Sequence, residues 1–153
     1  LEIILWAISV SKKENTEVIY FPDNKKEDIF KIINENDNEF KYHLDRFKYA
    51  TRYQKINKEF HFTKAIKFIE KWNKILTENK YFFGDNPTIA DWSIWPFVRQ
   101  FKIACESQKR TNYLETPIKN WLDTFEKNRK FKFLMYKYEL WGPYSRKNYF
   151  PSN

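Results

Sequence analysis

With 153 residues and 42% hydrophobic content, the chain has material for one domain core and too little polarity for a disordered segment. Aromatic residues make up 20%, so rings fill that core, and two glycines leave little room for tight β-hairpins. The net charge of +8 is scattered over nearly every predicted helix, without zinc-finger spacing, an RNA-binding sheet motif or a helix-turn-helix, which is the pattern of a solvated surface.

Periodicity predicts helices from end to end. Leu1, Ile4, Leu5 and Ile8 recur at i, i+3, i+4, i+7. Asn24 with Glu27 can cap a short helix carrying Ile29, Ile32 and Ile33. Asp37 or Asn38 can cap the next, whose inward stripe is Phe40, His43, Leu44 and Phe47. Phe62, Ala65, Ile66, Ile69, Trp72 and Leu76 make a longer stripe. From Ile89 to Ala104 the apolar residues surround the helix, which places it at the centre of a bundle, and Pro96 should kink it. Thr116 caps and Pro117 opens another helix with Ile118, Trp121, Leu122 and Phe125 inward. Phe131, Leu134, Met135 and Tyr138 suggest a last helix, and the tail from Trp141 has no period. The expected fold class is all-α, a helical bundle.

No stretch reaches the roughly eighteen apolar residues of a membrane helix, and Ile3–Val10 has no basic segment before it, so the protein is expected in the cytoplasm with no membrane and no specific nucleic acid as partner. The single cysteine, Cys105, excludes an internal disulfide and offers no metal cluster. His43 shares a face with Phe40 and Leu44 and is expected to be a partly buried, hydrogen-bonded imidazole. His61 is expected to be exposed. Neither pairs by spacing with a serine or with Cys105 as a nucleophilic system, so no catalytic residue is assigned.

Two groups of residues stand out. Thr88 and Asp91, three apart before the apolar run, form a capping box: the Thr88 hydroxyl accepts from the Asp91 N–H, and the Asp91 carboxylate reaches back to the Thr88 N–H. Tyr42, Arg46, Tyr49 and Tyr53 recur at i, i+4, i+7, i+11, giving flat apolar surface with a fixed guanidinium fork suited to a carboxylate. This stripe lines either a ligand cleft or a boundary against the linker or a subunit partner.

The string Tyr81-Phe82-Phe83-Gly84-Asp85-Asn86-Pro87-Thr88-Ile89-Ala90-Asp91 closely resembles the loop and capping box that open the central helix of the C-terminal domain of glutathione transferases. Phe40–Tyr49 with Arg52-Tyr53 resembles a bacterial transferase-like subfamily in which this helix flanks the active-site cleft. The resemblance runs from Leu1 to about Trp141. It implies that residues 1–9 are the last helix of a preceding thioredoxin-like domain, 10–24 the linker, 25–141 the helical domain and 142–153 an irregular tail. The glutathione site and the catalytic Cys, Ser or Tyr would lie in the thioredoxin-like domain, so the chain taken alone is expected to be inactive.

By the same resemblance the whole protein would be a homodimer that binds glutathione and acts on a hydrophobic electrophile or a disulfide. Tyr42, Arg46, Tyr49 and Tyr53 would then face the second substrate. The alternative is a non-catalytic transferase-like helical module used for protein association.

Overall fold

The computed structural model describes residues 1–11, 20–111 and 113–147. Most of the expected linker therefore lies outside the described residues. Helix α1 (Glu2–Ser9) is followed by a 3-10 turn (Asp23–Lys25), α2 (Lys26–Glu35), a π-helical turn (Asn36–Phe40) and α3 (Lys41–Lys48). A second 3-10 turn (Ala50–Arg52) precedes α4 (Lys58–Glu78), α5 (Ile89–Ser107), α6 (Thr116–Glu126) and α7 (Arg129–Leu134). Among the described residues there is no strand beyond an isolated bridge between Tyr81 and Gly84, and no helix is long and apolar enough to cross a membrane.

Helix α5 runs through the middle, as its all-round apolar surface requires, packing on α2, α3 and α6. Ile89, Ala90, Ile94, Val98, Phe101, Ala104 and Cys105 are all buried along it. It continues through Pro96 without breaking. Rings fill the space around it: Phe40 meets Trp72 edge-on at 4.8 Å, and Phe62 stacks on Phe101 at 5.9 Å. Each such pair adds about 0.5–1.5 kcal/mol to the burial of its rings.

The predicted caps of the earlier helices are corrected. Asn24 and Glu27 do not cap α2, because Asp23–Lys25 already winds as a 3-10 turn into it. Nor does Asp37 or Asn38 open a new helix, since the backbone stays helical from α2 through the π turn into α3. The polar side chains bond sideways instead. Asn38 donates to the carbonyl and side chain of Asn34 at 3.2 and 2.7 Å, and Asp37 pairs with Lys41 at 3.5 Å. The extra residue of a π turn turns Phe40 inward together with Leu44 and Phe47, and all three are fully buried.

Helix α6 begins one residue earlier than expected, with Glu115 at the cap position and Pro117 in the first turn. One of its free N–H groups is met from another helix. The buried Asn73 of α4 accepts from the Ile118 N–H at 3.0 Å and donates to the Glu115 carboxylate at 2.6 Å. The last helix is shorter than its apolar pattern suggests: α7 ends at Leu134, leaving Met135 and Tyr138 exposed beyond it.

Candidate functional site

Two polar clusters organise the molecule, and they differ in what surrounds them. The first is at the start of α5. Both halves of the capping box between Thr88 and Asp91 are present, and the Asp91 side chain is completely buried. Its Oδ2 accepts from the Thr88 N–H at 2.8 Å and from the Thr88 hydroxyl at 3.0 Å. Its Oδ1 accepts from the Phe82 N–H at 3.1 Å and from the Trp121 indole N–H at 2.9 Å.

One carboxylate thus ties the cap of α5 to the preceding turn and to α6. The turn can approach because Gly84 takes a φ of 127°, a conformation that side-chain-bearing residues rarely adopt. Burial holds the Asp91 carboxyl above the ordinary carboxylate range, and the four hydrogen bonds pull it partly back. Donors from Phe82, Thr88 and Trp121 surround it, and the ionised form accepts from all four of them. Asp91 is spent on structure.

The second cluster is on α3 and the turns around it. The sequence reading treats Tyr42, Arg46, Tyr49 and Tyr53 as one helical stripe, but α3 ends at Lys48 and Tyr49 leaves helical geometry at φ −116°, ψ 39°. The following 3-10 turn brings Tyr53 back. The Arg46 guanidinium lies 3.5 Å from the centre of the Tyr42 ring and 4.8 Å from that of Tyr53, and it donates to the Tyr42 carbonyl at 3.3 Å. Tyr49 separates from this stack and lies under Arg52, at 4.0 Å, and Lys48, at 4.7 Å. Three of the four residues therefore form one unit and the fourth belongs to a neighbouring one.

Among the described residues neither Arg46 nor Arg52 has a carboxylate partner, whereas Lys71, Arg99, Lys102 and Arg110 each pair with a glutamate. A guanidinium has five donors in a fork, and one hydrogen bond leaves most of them available. Such a cation held close to two rings suits an anion carried on an apolar or aromatic body.

Below the stack lies a contact that spacing does not reveal. His43 Nδ1 and His61 Nδ1 are 2.8 Å apart, one donating and the other accepting, and the Tyr42 ring lies 5.1 Å from His43 and 5.7 Å from His61. The expected hydrogen-bonded His43 is found. The expected exposure of His61 is corrected: it is 7% exposed, because the first turn of α4 packs on α3 and turns it inward. A signal was present in the sequence, since His61 extends the stripe Ala65, Ile69, Trp72 and Leu76 by one turn. Desolvation is the main cause that lowers both imidazoles below their ordinary value. The two repel each other's charge at His43, and Arg46 opposes protonation of both.

Cys105 is buried in α5, and desolvation pushes its thiol up to about 12, so it stays protonated at neutral pH. Among the described residues no three His, Cys, Asp or Glu side chains gather as a metal site.

No curated protein sequence matches the chain. Residues 42–127, more than half of the chain, match the family of the glutathione S-transferase C-terminal domain, and they take in the Arg46 stack, both histidines and the whole Asp91 cluster. The all-helical bundle, its buried central helix and the capping box that opens it agree with that match, and the chain belongs to the glutathione S-transferase C-terminal domain family.

Proposed function

We propose that this chain is the second-substrate and subunit-interface domain of a cytoplasmic, homodimeric glutathione transferase-like protein acting on hydrophobic electrophiles or disulfides. The observation that carries the reading is the Tyr42–Arg46–Tyr53 stack, a guanidinium between two rings with no carboxylate partner among the described residues. The rings accept the apolar body of a substrate, and the guanidinium edge accepts a carboxylate such as those of glutathione. Tyr49 with Arg52 extends the same cationic and aromatic surface.

In this reading residues 1–9 are the last helix of a thioredoxin-like domain, 10–24 the linker, 25–141 the helical domain and 142–153 its tail. Helix α1 supports that division. Ile4, Leu5 and Ile8 pack on the core, while Ile3 and Trp6 remain 80% and 64% exposed. A groove of about 450 Å³ between α1 and the start of α5 is lined by Ile3, Ile4, Ala7, Ile8 and Trp92. An apolar surface of that kind fits a further domain better than solvent. The thioredoxin-like domain would hold glutathione and supply the thiolate, and α3 would form a wall for the second substrate.

The same exposed α1 favours the competing reading of a non-catalytic association module, so the test must reach the Arg46 face. An S-aryl conjugate of glutathione titrated into the chain should quench tryptophan fluorescence saturably, and Arg46→Ala should weaken that binding about tenfold. The chain alone should give no conjugation of glutathione with an aryl halide above the uncatalysed rate. No saturable binding, or binding indifferent to Arg46→Ala, would leave the association module as the better account.

A further inference from the structure

The His43–His61 pair lies directly beneath the face assigned to the ligand, and its chemistry is not used by the proposed function. Each imidazole directs Nδ1 at the other, 2.8 Å away. In the neutral pair one ring carries its proton on Nδ1 and donates it, and the other receives it on a bare Nδ1. One further proton can enter at the distal nitrogen of the donating ring, leaving the hydrogen bond in place and making it charge-assisted. A second cannot, because the accepting Nδ1 would have to be protonated and the contact would become donor against donor. The pair therefore has one usable proton position and titrates as a unit.

Among the described residues, the charged groups acting on the pair are both cations, Arg46 of α3 and Lys64 of α4, and the rings of Tyr42 and Phe60 lie beside it. Lys64 is also drawn over the Phe60 ring, at 5.4 Å. Arg46 is the cation shared between the pair and the surface above it. Whatever neutralises Arg46 from outside removes repulsion felt by a proton inside.

We propose that the Arg46 face takes up an anionic ligand, a carboxylate or sulfonate on an aromatic body, together with a proton held by the His43–His61 pair. This rests on the reading of the face as a ligand site and adds how the site is regulated. An anion seated on Arg46 favours the singly protonated pair, and by reciprocity the protonated pair favours the anion. The sign is fixed. Binding takes up a proton, so affinity rises as pH falls through the titration of the pair, which lies below 6.5 in the free protein. A rise of half to one pKa unit in the pair on binding corresponds to an affinity about threefold to tenfold higher below the pair's titration than above it.

The test uses the full chain and 1-naphthalenesulfonate, whose charge is constant across this range. Calorimetric titrations at pH 6 in two buffers of different ionisation enthalpy measure protons taken up per ligand, and NMR follows the ring C–H signals of His43 and His61 between pH 5 and 8. The expected result is a net uptake of a fraction of a proton per ligand, at most about one half, with both histidine titrations moved to higher pH by the sulfonate. Replacing both rings, His43→Gln with His61→Gln, should remove the pH dependence while leaving affinity at pH 8 within about twofold. Because the NMR titration is made on the unaltered chain, it stands even where that variant folds poorly. Binding that is weakened by Arg46→Ala yet is independent of pH and takes up no proton would overturn the coupling and leave the ligand face intact. Binding indifferent to Arg46→Ala would overturn both.

Discussion

The Asp91 cluster and the Arg46 face each place a charged side chain among aromatic neighbours, and they come to opposite ends. Asp91 is fully buried and receives four hydrogen bonds from three separate parts of the chain. Every acceptor position it offers is used inside the fold. Arg46 is half-buried, donates one hydrogen bond to a carbonyl one turn away and lies against the Tyr42 and Tyr53 rings, with no carboxylate partner among the described residues. A charge whose bonding capacity is satisfied internally serves the fold, and one left with open capacity at the surface serves something that arrives.

The largest effect expected from breaking this comparison is at Asp91. Asp91→Asn keeps the shape but sets an NH2 group against the Phe82 and Trp121 N–H groups or against the Thr88 N–H, whichever way the amide turns. Denaturant melts should show a loss of about 3 kcal/mol or more. A loss under about 1 kcal/mol would mean that the cluster is not the structural centre described here. Next is Asn73, which plays the same bridging part between α4 and α6: Asn73→Ala strands the Ile118 N–H and should cost about 2 kcal/mol. Thr88→Ala removes one half of the capping box and one donor to Asp91, for an expected loss of about 1–2 kcal/mol.

A smaller effect follows from the histidine pair. Both imidazoles are lowered below 6.5, so the unfolded chain binds more protons than the folded one as the solution is acidified. Their contribution to stability is fully present above pH 6.5 and is lost as pH falls through the folded-state values. Thermal melts between pH 8 and 5 should show a falling midpoint, and a chain carrying both His43→Asn and His61→Asn should show a flatter profile. An equally steep profile in that double variant would place the acid sensitivity elsewhere.

The difference between the two regions also decides how much of each was legible in the sequence. The Asp91 cap could be read because its partners, Thr88 and the helix it opens, are local, and spacing encodes local contacts. Its bond to Trp121 is thirty residues away and could not be read. The stripes that bury Ile29, Leu44, Phe47, Ala65, Ile69, Trp72 and Ile118 were legible for the same reason, since helical period determines which face turns inward.

Helix joints were less so. The polar run Asn36–Asn38 carries residues that cap helices in most settings, and only the packing of Phe40 against Trp72 and Phe101 makes a continuous π turn the better solution. At the candidate site the stripe Tyr42, Arg46, Tyr49 and Tyr53 assumed one unbroken helix. The turn at Ala50–Arg52 keeps Tyr53 over Arg46 and sends Tyr49 to Arg52, a rearrangement that no periodicity signals. The His43–His61 contact is a meeting of two helices eighteen residues apart, and it appears only once α3 and α4 are packed.

The measurement that bears most directly on the central contrast is Arg46→Ala in the full chain, with melting temperature and ligand affinity read on the same sample. The stack gives up two solvent-facing cation–π contacts worth about 0.5–1 kcal/mol each, so the midpoint should fall by no more than about 2–8 °C. Affinity for the S-aryl glutathione conjugate should fall about tenfold. Unchanged affinity with a midpoint lowered by about 12 °C or more would make Arg46 a strut like Asp91 and contradict the account.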